Sequence, residues 1–325
     1  MKLILQLVIT LILVAAIIWQ LGDLRGVGRL LVRIDPACVL LILAVNTLDR
    51  ALMTYKWRLL LSTRGQHLPF FRGVRIYCAA TVWGMLLPMT VGADAIRAFS
   101  TCRSGLDADE VVASIFIERM FGFVAALVIG LCSIVLLYLT GSLDTRFLPL
   151  WWLGSLVLLG GTLAFATSFS QTAFDFLHDR LLRRFSGAWI VRRLRQSHLT
   201  YLAYRHEKRS LAAFLGLTFV EQLQPIVTSW LIARGLGVEV SPLFIVGAVP
   251  LVGLISRIPV TIGGIGVYDG AFMLVMSMAG LTAAESIAIA LASRILETAA
   301  WLPWWLAHVI GYGELRPSAL APKGG

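Results

Sequence analysis

Leu87-Pro88-Met89-Thr90-Val91-Gly92 and Ile258-Pro259-Val260-Thr261-Ile262-Gly263 share the pattern P-x-T-x-G, with aliphatic residues at alternate positions. Each lies within an apolar stretch, the first from Gly73 to Val91 and the second from Leu243 to Gly280. The first contains Pro88; the second is expected to be broken by Pro250, Pro259 and the run Gly263-Gly264-Ile265-Gly266. Proline removes a helix hydrogen bond and clashes with the preceding turn. Inside a bilayer, irregular backbone survives only where protein buries it or where it lines a wet cavity. Both stretches therefore read as re-entrant or broken-helix hairpins.

The surrounding chain supplies the bilayer. Of 325 residues, 58% are hydrophobic and 14% charged, against about 25% charged in soluble domains. Apolar runs of spanning length occur at Leu3 to Leu21, Ala37 to Tyr55, Val111 to Leu139, Leu150 to Ser168, Leu211 to Ala233 and Ala284 to Ile310. The first is too long for a signal-peptide core and lacks a clear cleavage site, so it reads as a retained helix. The expected fold is an all-α polytopic membrane protein, with about six spanning helices plus the two hairpins.

The flanks of the two P-x-T-x-G copies also match. Trp57 answers Trp230, Arg50 lies near the position of Glu221, Ala98-Phe99 answers Ala271-Phe272, and Arg119 answers Arg294. One transmembrane domain, 1–325, then divides into a first helix and loop (1–36), repeat unit one (37–140), a linking helix and basic loop (141–210), repeat unit two (211–312) and a tail (313–325). The segment from Gln171 to Ser210 carries nine Lys and Arg residues among Arg180, Arg183, Arg184, Arg192, Arg193, Arg195, Arg205, Lys208 and Arg209, which marks it as cytoplasmic. Phe174, Leu177, Leu181 and Phe185 give it the spacing of a helix lying on the inner leaflet. Counting spans from it places both termini in the cytoplasm of an inner-membrane protein. The first hairpin would then enter from inside and the second from outside, as in inverted-repeat transporters, which hold substrate near the midplane.

Charge clusters around the two breaks. Unit one has Asp49 and Arg50, then Asp94 and Arg97 after Gly92, then Glu118 and Arg119; unit two has Glu221, Arg257, Tyr268, Asp269, Arg294 and Glu297. An ionisable group at membrane depth costs about 2.5–3.5 kcal/mol on insertion scales and is kept when paired or functional. Asp94 and Arg97 stand three residues apart, and Arg294 and Glu297 repeat that interval in reverse. Helix N-termini opening after Gly92 and Gly266 would offer N–H groups to an anion, and arginine suits phosphate oxygens. These residues, with Pro88, Pro259, Gly263 and Gly264 shaping the breaks, form the candidate substrate site for a phospholipid or polyprenyl-phosphate headgroup. Plain ion pairing between helices would explain single pairs. Asp49, Arg58, Arg103 and Glu110, near the expected interfaces, would reach to water.

The ensemble Asn46, Asp49-Arg50, Lys56-Trp57-Arg58-Leu59-Leu60-Leu61, Leu87 to Arg97, Glu118-Arg119 and Ile258 to Gly270 resembles the lysylphosphatidylglycerol synthase transmembrane domain, the flippase-like family. That resemblance implies a membrane domain moving a lipid, such as an aminoacylated phosphatidylglycerol or an isoprenoid-linked lipid, between leaflets. Here the family's Gly-Gly-Asp is Gly92-Ala93-Asp94, and its Arg-Glu after the second glycine cluster is replaced by Tyr268-Asp269. Little follows the last helix, so the chain is expected not to make lysyl-lipid by itself.

Other classes find little support. There is no Walker A run, no H-E-x-x-H and no His–Cys metal spacing, and Gly264-Ile265-Gly266 lacks the third glycine of a dinucleotide loop. No cofactor or metal is called for, and the net charge of +10 belongs to membrane surfaces rather than nucleic acid. Movement of a lipid would have to run downhill or draw on an ion gradient. A lipid-modifying membrane enzyme and a structural membrane subunit remain the alternatives, and assembly with copies of itself stays open.

Overall fold

The computed structural model describes residues 2–21, 24–86, 92–143, 148–168, 200–257, 261 and 265–311. Pro88, Pro259, Gly263, Gly264 and most of the expected basic amphipathic segment lie outside the described residues. Among the described residues there are twelve α-helices and no strand.

Ahead of unit one lie α1 (Lys2–Leu21) and α2 (Leu24–Val32). The loop expected after the first helix, within 1–36, is largely this second helix. Val27, Leu30 and Leu31 recur at helical spacing and pack into the largest hydrophobic core, while Arg25 and Arg29 stay exposed. That amphipathicity suits the edge of a membrane protein. The long helix α3 (Pro36–Thr63) follows, with Pro36 in its first turn and the Asp35 carboxylate accepting from the Ala37 N–H at 3.0 Å. Proline is preset for that position and the carboxylate satisfies a donor that the helix cannot.

Next come α4 (Phe70–Leu86) and α5 (Gly92–Cys102), which pack on each other across the Pro88 break. A Cβ on Gly84 would lie 2.6 Å from the Ala93 Cβ, so only glycine lets the two arms approach this closely. Then α6 (Ala108–Leu139) begins at Asp107, whose carboxylate accepts from the N–H groups of Asp109 and Glu110. A 32-residue helix is about 48 Å long, more than the ~30 Å hydrocarbon core, so it must tilt or extend beyond that core. After α7 (Leu148–Ser168), unit two runs through α8 (Lys208–Glu221), α9 (Leu223–Gly235), α10 (Pro242–Ser256), α11 (Val267–Ser277) and α12 (Ala283–Ile310). The α12 N-terminus is closed by Thr282 and Glu285, each accepting from the other's backbone N–H.

The expected span Leu211 to Ala233 lies within the candidate crossing Lys208–Gly235, whose helix is interrupted at Gln222. Pro225 is the cause: its ring opposes the carbonyl four residues back, which is that of Glu221. Conversely, Pro250 does not break its helix, which runs from Pro242 through Ser256; the interruption in unit two comes later, before α11.

The packing is reciprocal. The first arm of hairpin one, α4, lies against α12, the last helix of unit two; the first arm of hairpin two, α10, lies against α6, the last helix of unit one. Within units, α4–α5 matches α10–α11 and α5–α6 matches α11–α12. Each hairpin is thus clasped by the opposite unit, and α3 crosses between them, touching α8, α9 and α12. Among the described residues three helical stretches, Pro36–Thr63, Ala108–Leu139 and Lys208–Gly235, are long and apolar enough to cross a membrane by length and composition. Trp152, Leu153, Leu156, Leu159 and Leu163 on α7 are all exposed, a face that water would not tolerate and lipid does.

Candidate functional site

Three residues of α3 set the interior. Asp49 and Arg50 form an ion pair of 2.6 Å, and two turns further on Lys56 is wholly buried. The Lys56 ammonium donates to the Glu221 carboxylate of α8, donates to Thr218 Oγ1 at 3.3 Å, and stands 4.9 Å from the Phe214 ring centroid. Glu221 sits where Pro225 ends its helix, so the chain break and the buried carboxylate coincide.

From Lys56 the charge continues into hairpin one. Arg97, on α5, donates to both oxygens of Glu118 on α6 at 3.0 and 2.9 Å. The Tyr77 hydroxyl of α4 donates to the same carboxylate. The Arg97 guanidinium lies 4.8 Å from the Trp57 ring centroid and 4.6 Å from that of Tyr77, and Trp57 is fixed by its own N–H to Ser114 Oγ at 2.9 Å. A cation held between aromatic faces away from water is worth about 2 kcal/mol or more per contact at the upper end. Arg97 is only 2% exposed, yet its Nε and one terminal nitrogen have no hydrogen-bond partner.

The two hairpins carry the same latch. Asp94, in the first turn of α5, receives two 2.7 Å bonds from Arg119 of α6; Asp269, in the first turn of α11, receives a 3.1 Å bond from Arg294 of α12. In both cases the partners are 25 residues apart. The repeat therefore lies in Asp94–Arg119 and Asp269–Arg294, not in the three-residue intervals. Asp94 and Arg97 do approach to 3.5 Å, but Arg294 turns to Asp269, and no Arg294–Glu297 ion pair forms among the described residues. The units differ in what lies beneath. Arg97 is buried in unit one, whereas among the described residues of unit two no arginine is buried.

Helix N-termini stand where expected, at Gly92 and just after Gly266. Gly266 has φ +85°, a conformation that side chains disfavour. Its N–H is not open to a ligand, however: the Asp269 carboxylate turns back and accepts it at 2.9 Å. The second Asp269 oxygen is buried without a partner. Tyr268 stacks on Phe272 and lies beneath the Arg294 guanidinium at 5.5 Å.

Asp49 does not reach to water; it is buried against Arg50. Arg58 donates to the Leu68 carbonyl at 2.6 Å and Glu110 pairs with Arg64 at 3.1 Å, so both are tied down within the protein. Arg50 also covers the Trp301 ring at 4.7 Å and lies within electrostatic reach of Glu221 and Glu297. Arg257, which ends α10, makes no ion pair among the described residues, is exposed, and lies within electrostatic reach of Glu221 and Arg119.

With Lys56 as the added link, the predicted charges lie within electrostatic reach of one another in the order Asp269, Arg294, Glu297, Arg50, Asp49, Glu221, Lys56, Glu118, Arg97, Asp94 and Arg119, with Arg257 near Glu221 and Arg119. Sequence reasoning missed Lys56, Tyr77, Trp57 and the Asn46–Gln224 hydrogen bond beside them. The lone carboxylate of Glu221 in an apolar run was the available signal, since it demands a cation from another helix. Among the described residues no group of three His, Cys, Asp or Glu side chains could hold a metal ion.

Comparison with known proteins agrees with this architecture. A "UPF0104 membrane protein" of Methanothermobacter thermautotrophicus is 27% identical over 138 residues, 42% of this chain and 38% of that protein. The match thus spans well under half of either. The family model described as the lysylphosphatidylglycerol synthase TM region matches residues 3–304. On that coverage, this membrane protein belongs to the lysylphosphatidylglycerol synthase transmembrane-region family.

Proposed function

We propose that this protein moves a lipid with a phosphate-bearing headgroup, a phospholipid or a polyprenyl-linked lipid, between the leaflets of the cell's inner membrane, with both termini cytoplasmic. One observation carries the reading: Arg119 of unit one and Arg257 of unit two are both exposed and lie within electrostatic reach of each other, and Arg257 makes no ion pair among the described residues. Asp94 neutralises Arg119, so an anion arriving here would be drawn first by the unpaired charge of Arg257 and could then compete with Asp94 for Arg119. Arginine's forked donors suit phosphate oxygens.

The latches supply a way to move. Each ties the second arm of its hairpin to the last helix of its own unit. A phosphate that takes Arg119 from Asp94 loosens hairpin one while Asp269–Arg294 still holds hairpin two. Opening them in turn exposes the charged chain first to one side and then to the other, as inverted repeats permit. Arg97, Glu118 and Tyr77 stay joined throughout, which keeps the buried Glu118 carboxylate paired. The driving force would be the lipid gradient itself or a coupled ion.

A structural role has one observation in its favour: Arg50, Lys56, Arg97, Arg119, Arg257 and Arg294 are matched in number by Asp49, Asp94, Glu118, Glu221, Asp269 and Glu297. Lipids retained through purification separate the two readings. Mass spectrometry of the wild type should show enrichment of a phosphate-bearing lipid over the host membrane, falling at least about fivefold in Arg119→Gln/Arg257→Gln. No enrichment in the wild type, or equal retention in the variant, would leave the structural role.

A further inference from the structure

Between α1 and α11 runs an apolar groove of about 420 Å³, walled by Leu13 and Ala16 on one side and by Gly266, Gly270, Leu274 and Ser277 on the other. We infer that this groove seats one hydrocarbon chain of the lipid whose headgroup occupies the Arg119–Arg257 region, an assignment that rests on the function proposed above. The groove is not merely a gap between helices. At Gly266 the walls touch, since a Cβ there would lie 2.8 Å from Leu13 Cβ; at Gly270 a Cβ would meet nothing within 4 Å. The cleft is closed at the break and opens along α11.

Its closed end meets the charged chain. Gly266 donates to Asp269, which pairs with Arg294 and leaves its second oxygen buried and unpartnered. A donor from the glycerol or linker region of a lipid would satisfy that oxygen, with polar atoms at Asp269 and the chain leading away past Gly270. From Gly266 to Ser277 the helix rises about 16 Å, close to half of the ~30 Å hydrocarbon core, the depth that one chain occupies in one leaflet. Walls of glycine, alanine and aliphatic side chains at that depth give water too few polar partners to settle there, while hydrocarbon loses nothing.

Full-length protein reconstituted with trace phosphatidylglycerol bearing a diazirine on one acyl chain tests this directly. On irradiation, adducts are expected in the peptides covering α1 and α11, and filling the groove with Gly270→Trp should lower their yield at least about fivefold. Ala16→Trp fills it from the α1 wall, and should do the same if Gly270→Trp fails to fold. Adducts spread equally over the outer face of α7, and unchanged in both variants, would overturn the inference, since the groove would then hold only bulk lipid. A diazirine diacylglycerol, lacking phosphate, distinguishes the two levels. Loss of its groove adducts relative to phosphatidylglycerol supports head and chain together. Equal yield from both probes, abolished by the groove-filling variants, keeps the chain site and sinks the headgroup reading.

Discussion

Arg97→Met tests whether the buried charges are scaffold, site or both. Arg97 is 2% exposed and Glu118 6%, so removing the guanidinium strands a carboxylate that only Tyr77 still touches directly. Breaking a buried pair on one side costs about 3–5 kcal/mol. Methionine retains part of the stacking on Trp57 and Tyr77, because a thioether also favours aromatic edges, so the loss reports charge more than volume. Adding Glu118→Leu removes the stranded charge and should recover most of the deficit. What remains is the Tyr77 hydroxyl, now without its acceptor, at about 1–3 kcal/mol. Adding Tyr77→Phe should bring the triple variant within about 1 kcal/mol of wild type, since apolar replacement of a buried pair is often neutral. Denaturant titration in mild detergent, followed by tryptophan fluorescence, measures the ladder. The same samples analysed for retained phosphate-bearing lipid give the second readout, where the triple variant should stay defective although stable. A single variant costing under about 1 kcal/mol would refute the buried-pair geometry. Full lipid retention in a stable triple variant would show that Arg97 serves the fold alone.

Exchanging the latch charges, Asp94→Arg with Arg119→Asp, should restore the hairpin clasp lost in either single variant; disulfide trapping between cysteines placed on α5 and α6 would report it, and trapping no better in the double than in the singles would count against the latch. Gly84→Leu should destabilise by about 1–3 kcal/mol, the usual cost of overpacking, because the added side chain meets Ala93 across the hairpin; thermal unfolding in detergent at wild-type values would show that the arms are not held that closely.

Local chemistry made the helical class and the hairpins legible before any coordinates. Pro88 and the glycines after Pro259 interrupt apolar runs, and nothing but protein or a cavity can accept such a backbone in lipid. The capping residues Asp35, Asp107 and Thr282 mark helix starts for equally local reasons. Local rules also misled. Pro250 reads as a breaker, yet its helix continues with α6, α9 and α11 packed against it, while Pro225, inside an apolar run, coincides with the interruption at Gln222.

By itself, the sequence determined the medium, the helical class, the two breaks and which side chains had to escape from lipid, since each follows from hydrophobicity and backbone hydrogen bonding along a short stretch. Who pairs with whom was decided by the tertiary structure alone. A buried charge requires an opposite charge nearby but says nothing about which helix brings it; Lys56 meets Glu221 across 165 residues, and Arg294 turns away from Glu297, three residues on, toward Asp269. Those partners are chosen by how the hairpins and long helices pack, and only that packing brings Arg257 within electrostatic reach of Arg119.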